Sequence, residues 1–144
     1  ALGAITLVAQ EGRFAEQVMQ LTDGHGADVI LDLVGAAYWA DNAASLARGG
    51  RVVCTGLLGG RHADVDLGML LARNATIIGS TLRGRSIAEK GAIVAGFRDW
   101  GLPLLVDGTM RPIVDRVVPL ARVAEAHRHV EASAAVGKVV LRVA

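Results

Sequence analysis

A single cysteine, Cys54, is the only thiol in this sequence of 144 residues. It excludes an internal disulfide and fits a reducing compartment. With one cysteine and four histidines, none of them a close pair, the chain cannot assemble a tetrahedral zinc site from its own residues. Lysine occurs only at Lys90 and Lys138; the other basic residues are arginine, interspersed with acids to a net charge of +1. No basic face therefore points to nucleic acid, and no charge run points to a tail. Apolar runs stay well short of the roughly 20 residues that a membrane span needs. The opening stretch has no signal-peptide pattern, so the expected location is the cytoplasm. Repeats, linkers and low-complexity tracts are missing too, as is any G-x-G-x-x-G.

What is present is an apolar content of 52%, enough to place the chain among globular proteins. The length suits one domain or a piece of one. A short apolar run at residues 4–8 precedes Phe14, Val18 and Leu21 at helical spacing, and "DGHG" ends that helix. "ADVILDLV" (27–34) reads as a strand. Trp39, Ala43 and Leu46 then share a helix face, closed by Gly49 and Gly50. "RVVCTG" (51–56) is the next strand, a short helix follows around Leu67, Leu70 and Leu71, and "ATIIG" (75–79) is another strand. Strands apolar on both faces and alternating with helices predict an α/β fold, with a parallel sheet covered on both sides. The last third differs. A helix over 86–101 opens with a capping box, Ser86 with Glu89. Strand-like "IVDRVV", a helix over 120–132 and a final strand "KVVLRV" complete the chain.

Parallel strands end together, and ligands bind outside their carboxyl ends. Gly35, Gly56 and Gly79 each follow a strand at that rim. One such glycine is ordinary punctuation; three at one edge suggest a ligand-binding rim. Asp32 lies inside its strand and reads as a structural, hydrogen-bonded group. "GSTLRGRS" (79–86) nearly fits a phosphate-binding loop, but Arg85 stands where the compact charge of lysine is needed, which argues against a nucleoside triphosphatase. His127 falls on one helix face with Leu120, Val123 and Val130 and reads as packing; His129 points elsewhere.

Three stretches taken in order carry a resemblance: "GADVILDLVG…N…LARGGRVVCTGLLGG", "LLARNATIIGSTLR" and "VVPLARVAEAHRHVEASAAVGKVVL". They resemble the C-terminal part of a zinc-independent medium-chain dehydrogenase/reductase, closest to NADPH-dependent quinone oxidoreductases of the p53-inducible and zeta-crystallin type. The resemblance implies a partial Rossmann-like sheet over residues 1–85, carrying the third to sixth strands of the order 3-2-1-4-5-6. Residues 86–144 would be helices and strands returning to a catalytic domain outside this sequence. The glycine turn that cradles the pyrophosphate would also lie outside it, so the chain is expected to be a piece of a longer enzyme and inactive by itself.

The resemblance further assigns residues to the cofactor, NADPH, with NADH left open. Gly35 and Ala36 would pass the adenine-ribose side. Thr55, Gly56, Leu57 and Leu58 would lie along the cofactor toward its nicotinamide. Ser80, Thr81 and Leu82 would offer backbone groups to the carboxamide, and Ser133 would approach the nicotinamide end. No catalytic residue and no metal ligand is assigned. The implied reaction is hydride transfer to a quinone or another electron-poor alkene; an enoyl reductase module and a non-catalytic nucleotide-binding relative are the alternatives. The implied partner is a second copy, paired through residues 75–80.

Overall fold

The computed structural model describes residues 3–9 and 13–143. The chain divides into two compact units, residues 1–85 and 86–144.

In the first unit, strands β1 (Ala27–Asp32), β2 (Leu46–Cys54) and β3 (Thr76–Gly79) are parallel and adjacent in that order. Ile30 is level with Val52, and Val52 with Ile77. Helix α1 (Ala15–Leu21) precedes β1, and helices α2 (Trp39–Ser45) and α3 (Leu67–Arg73) make the two connections. Right-handed crossovers that advance in one direction across a sheet put their helices on one face. That face carries Val52, fully buried, which stabilises the unit by about 2 kcal/mol relative to an exposed valine. On the opposite face Val29, Leu31 and Leu33 remain 54–65% exposed. The unit is thus the parallel α/β arrangement that the sequence suggested.

Two particulars differ from expectation. Residues 4–8 form no strand. A strand is held by a neighbour's N–H and C=O groups, and the expected order seats none of this chain's other strands beside them. Leu46 belongs to β2 and not to the helix before it. Helix α2 stops at Ser45, whose hydroxyl turns back to donate to the Asp41 carbonyl at 2.7 Å. The Arg73 guanidinium on α3 donates to the carbonyls of Ala43, Ala44 and Leu46, filling acceptors that the helix end leaves open. Leu46 then enters the core at 2% exposure.

The second unit holds helix α4 (Ile87–Val106), strand β4 (Val114–Pro119), helix α5 (Val123–Glu131) and strand β5 (Lys138–Arg142). The expected capping box is formed: Glu89 N–H donates to Ser86 Oγ at 3.3 Å, and Ser86 N–H donates to Glu89 Oε2 at 2.8 Å. Helix α4 runs past Pro103, beyond the end at residue 101 that the sequence suggested. A proline forfeits one N–H but keeps a helical φ, and Asp107 N–H still reaches Pro103 O at 3.0 Å. Strands β4 and β5 pair in parallel, with Val118 and Ala126 buried between sheet and helix α5. No helix among the described residues is long and apolar enough to cross a membrane.

Candidate functional site

The carboxylate at the end of β1 has a local use. Asp32 is 4% exposed, and its Oδ1 accepts from the N–H groups of Val34 (2.8 Å) and Gly35 (3.0 Å), while Oδ2 accepts again from Gly35 at 3.1 Å. It holds the turn that ends the strand by satisfying donors that burial has cut off from water. Gly35 follows with φ +83°, a conformation that side chains rarely adopt. A Cβ there would lie 2.6 Å from the Gly60 carbonyl. An acid and then a residue without a side chain are what this turn needs.

The loop after β2 folds across the same turn. Thr55 donates through its N–H (2.7 Å) and its hydroxyl (3.1 Å) to the Asp32 carbonyl. Ala36 N–H donates to Gly60 O at 3.0 Å, and Gly59 N–H donates to Val34 O at 2.7 Å. At Gly56 a Cβ would meet the Leu33 carbonyl at 2.6 Å, so this glycine is required by two protein backbones meeting. Leu57 packs on Gly35, whereas Leu58 projects outward at 88% exposure. After β3, Ser80 donates its N–H to Cys54 O at 2.9 Å, so that amide is already committed to β2. Thr81 accepts from the Arg83 N–H at its hydroxyl (3.3 Å) and from Arg85 Nε at its carbonyl (3.1 Å). Leu82 is 58% exposed. Nothing lies within 4 Å of a Cβ built on Gly79, so that glycine borders open space.

Gly35, Ala36, Thr55, Gly56, Leu57, Leu58, Ser80, Thr81 and Leu82 therefore gather at the carboxyl ends of three adjacent strands. Burial raises the pKa of the Cys54 thiol at this edge, and the nearby Asp32 charge adds to the effect. The thiol stays protonated and is a poor nucleophile.

Ser133 sits in the second unit, just after α5, with φ +51°. His127 is exposed and lines a shallow apolar groove of ≈ 220 Å³ with Val123, Ala126, Val130, Val139 and Leu141, so it is not packed in a core. His129 turns the other way: its Nε2 lies 2.9 Å from Asp115 Oδ2 on β4. Arg116 Nε also donates to that oxygen at 2.9 Å, and Val136 N–H donates to Asp115 Oδ1 at 3.1 Å. These bonds hold the Asp115 carboxyl at a pKa of about 2, with Arg116 the largest cause. Sequence reasoning had no signal for this pair, since strand and helix residues 14 apart share no periodicity.

The sequence pattern of the zinc-binding dehydrogenases matches residues 2–141. The chain belongs to that family. The resemblance to the C-terminal part of medium-chain dehydrogenases/reductases is thereby borne out. Quinone oxidoreductase-like protein 2 of Rattus norvegicus is 30% identical over 131 residues, 91% of this chain and 37% of that protein. A mycobacterial quinone oxidoreductase superposes with TM-score 0.70 at 30% identity, over 88% of this chain and 38% of the other. An NAD-dependent alcohol dehydrogenase superposes with TM-score 0.71 at 32% identity, over 90% of this chain and 35% of the other. The chain thus spans somewhat over a third of the length of these dehydrogenases. Zinc, which the family's description names, does not fit these residues. Among the described residues no three His, Cys, Asp or Glu side chains converge to hold a metal.

Proposed function

We propose that this chain is the cofactor-binding part of an oxidoreductase that moves hydride from a nicotinamide dinucleotide, NADPH with NADH as the alternative, to a quinone or other electron-poor alkene. The observation that carries the reading is the common rim. Three parallel strands end together, and the segments 35–36, 55–58 and 80–82 follow them side by side, where α/β sheets take their ligands. The relatives named as quinone oxidoreductases support the choice of acceptor.

The dinucleotide would supply the hydride; the chain's own contribution is binding, orientation and exclusion of water. The cross-braced loop 55–60 gives the rim a backbone fixed before any ligand arrives, which lowers the ordering entropy of binding. The exposed side chains of Leu58 and Leu82 would cover apolar ligand surface and keep water out. Thr81 and the Ser80 hydroxyl would provide the polar contacts that fix orientation. Ser133 joins the proposed set on the resemblance alone. No residue of this chain is assigned proton or hydride transfer.

The test is oxidation of NADPH and NADH by the full-length gene product with 1,4-benzoquinone, an enoyl thioester or a primary alcohol as the second substrate. Turnover of NADPH with the quinone is expected. Turnover of NADH with the alcohol alone would favour the reading suggested by the alcohol dehydrogenase neighbour. The 144-residue chain by itself should bind NADPH more weakly than a micromolar dissociation constant, which corresponds to about 8 kcal/mol.

The proposal extends to assembly. Strand β3 pairs with β2 on one side, and residues Ile77 (41% exposed) and Ile78 (39%) lie in this short edge without an internal charge or proline. Such an edge invites another strand. A second copy meeting residues 75–80 antiparallel about a two-fold axis would satisfy both rows of backbone groups.

A further inference from the structure

The link between α5 and β5, residues 132–137, contains two left-handed positions. Ser133 has φ +51° and Gly137 has φ +109°. At Gly137 a Cβ would lie 2.5 Å from the Ile113 carbonyl. A serine in that region is strained and persists only where the surroundings over-determine it. The near end of the link is fixed by the helix it leaves. Ser133 N–H donates to Val130 O at 3.0 Å, and Ala134 N–H donates to His129 O at 3.3 Å. The far end is fixed by β5, where Lys138 N–H donates to Ile113 O at 2.8 Å. Between them, the link is tied by a side chain from β4: Asp115 Oδ1 accepts the Val136 N–H at 3.1 Å.

The other oxygen of that carboxylate meets His129 Nε2 and Arg116 Nε, each at 2.9 Å. The side chains of Asp115 and His129 are only 16% and 14% exposed, so this pair is less screened by water than a surface ion pair. One carboxylate thus joins strand β4, the last turn of α5 and the link that carries Ser133.

We infer that Asp115, braced by His129 and Arg116, is a positioning residue that holds the 132–137 link and sets the placement of Ser133. The inference rests on the proposed cofactor role of Ser133, and its test separates the two. Asp115→Ala should speed hydrogen exchange at the amides of 133–136 at least tenfold while the β4–β5 amides stay protected. Asp115→Asn leaves an acceptor for Val136 but none for the second oxygen's donors, and should loosen the link less. His129→Gln keeps a donor and should resemble the wild type; His129→Ala should not. In the full-length gene product, Asp115→Ala should raise the KM for NADPH several-fold with a smaller change in kcat. Unchanged exchange at 133–136 in Asp115→Ala overturns the clasp. A loosened link with an unchanged KM overturns the cofactor role of Ser133 and leaves the clasp standing.

Discussion

Three glycines end the three strands of the first unit, and one methyl group added to each should separate their roles. At Gly35 an alanine must adopt φ +83° and also place its Cβ 2.6 Å from Gly60 O. The left-handed backbone costs about 1–2 kcal/mol, and the overlap adds about 1–3 kcal/mol, since the contact is with backbone that cannot swing aside. Gly35→Ala should therefore cost about 2–5 kcal/mol. At Gly56 the φ is permissive and only the overlap with Leu33 O, also at 2.6 Å, remains, so the cost should be about 1–3 kcal/mol. At Gly79 nothing lies within 4 Å, and alanine should be neutral or stabilise by up to about 1 kcal/mol, because it restricts the unfolded chain. Urea denaturation of the three variants, with midpoints compared at a common slope, measures the series. If the loss at Gly35 does not exceed that at Gly79 by about 2 kcal/mol, the close packing of loop 55–60 on the turn is wrong. The series also identifies the clean probe of function. A side chain at Gly56 perturbs the fold before it can obstruct a ligand, whereas Gly79→Val projects into open space and should raise the KM for NADPH.

Asp32→Ala leaves the Val34 and Gly35 N–H groups without their acceptor and should cost about 2–5 kcal/mol, while Asp32→Asn retains one oxygen and should cost about 1 kcal/mol; thermal melts compare them, and equal losses would refute the account of the turn. Acid should loosen the second unit. The Asp115 carboxyl is depressed from 3.8 to about 2, so its stabilising contribution is complete above about pH 4 and is lost as pH falls through 2. The melting temperatures of the wild type and Asp115→Asn should accordingly converge between pH 4 and 2, and a constant gap would argue against it. Ile77→Pro removes a donor from the β3 edge; sedimentation should show a dimer for the wild type and a monomer for the variant.

The sequence by itself determined the parallel three-strand core, the capped helix at 86 and the line of residues along the strand ends. Periodicity, capping chemistry and strand-ending glycines are local properties that survive without knowledge of the fold. Asp32 was legible as a hydrogen-bonded structural acid, though not its partners. Tertiary structure decided why the glycines are there. Gly56, read as part of a ligand-binding rim, also has to admit the Leu33 carbonyl, because two loops 23 residues apart share hydrogen bonds from Thr55 to Asp32. It also decided that Leu46 starts a strand, through three carbonyls claimed by Arg73 from another helix. Residues 4–8 have strand composition and no ladder, since a strand exists only with a neighbour to pair. The Asp115–His129 clasp belongs wholly to the fold: nothing in the spacing of an acid on one strand and an imidazole on the next helix says that they will meet at 2.9 Å.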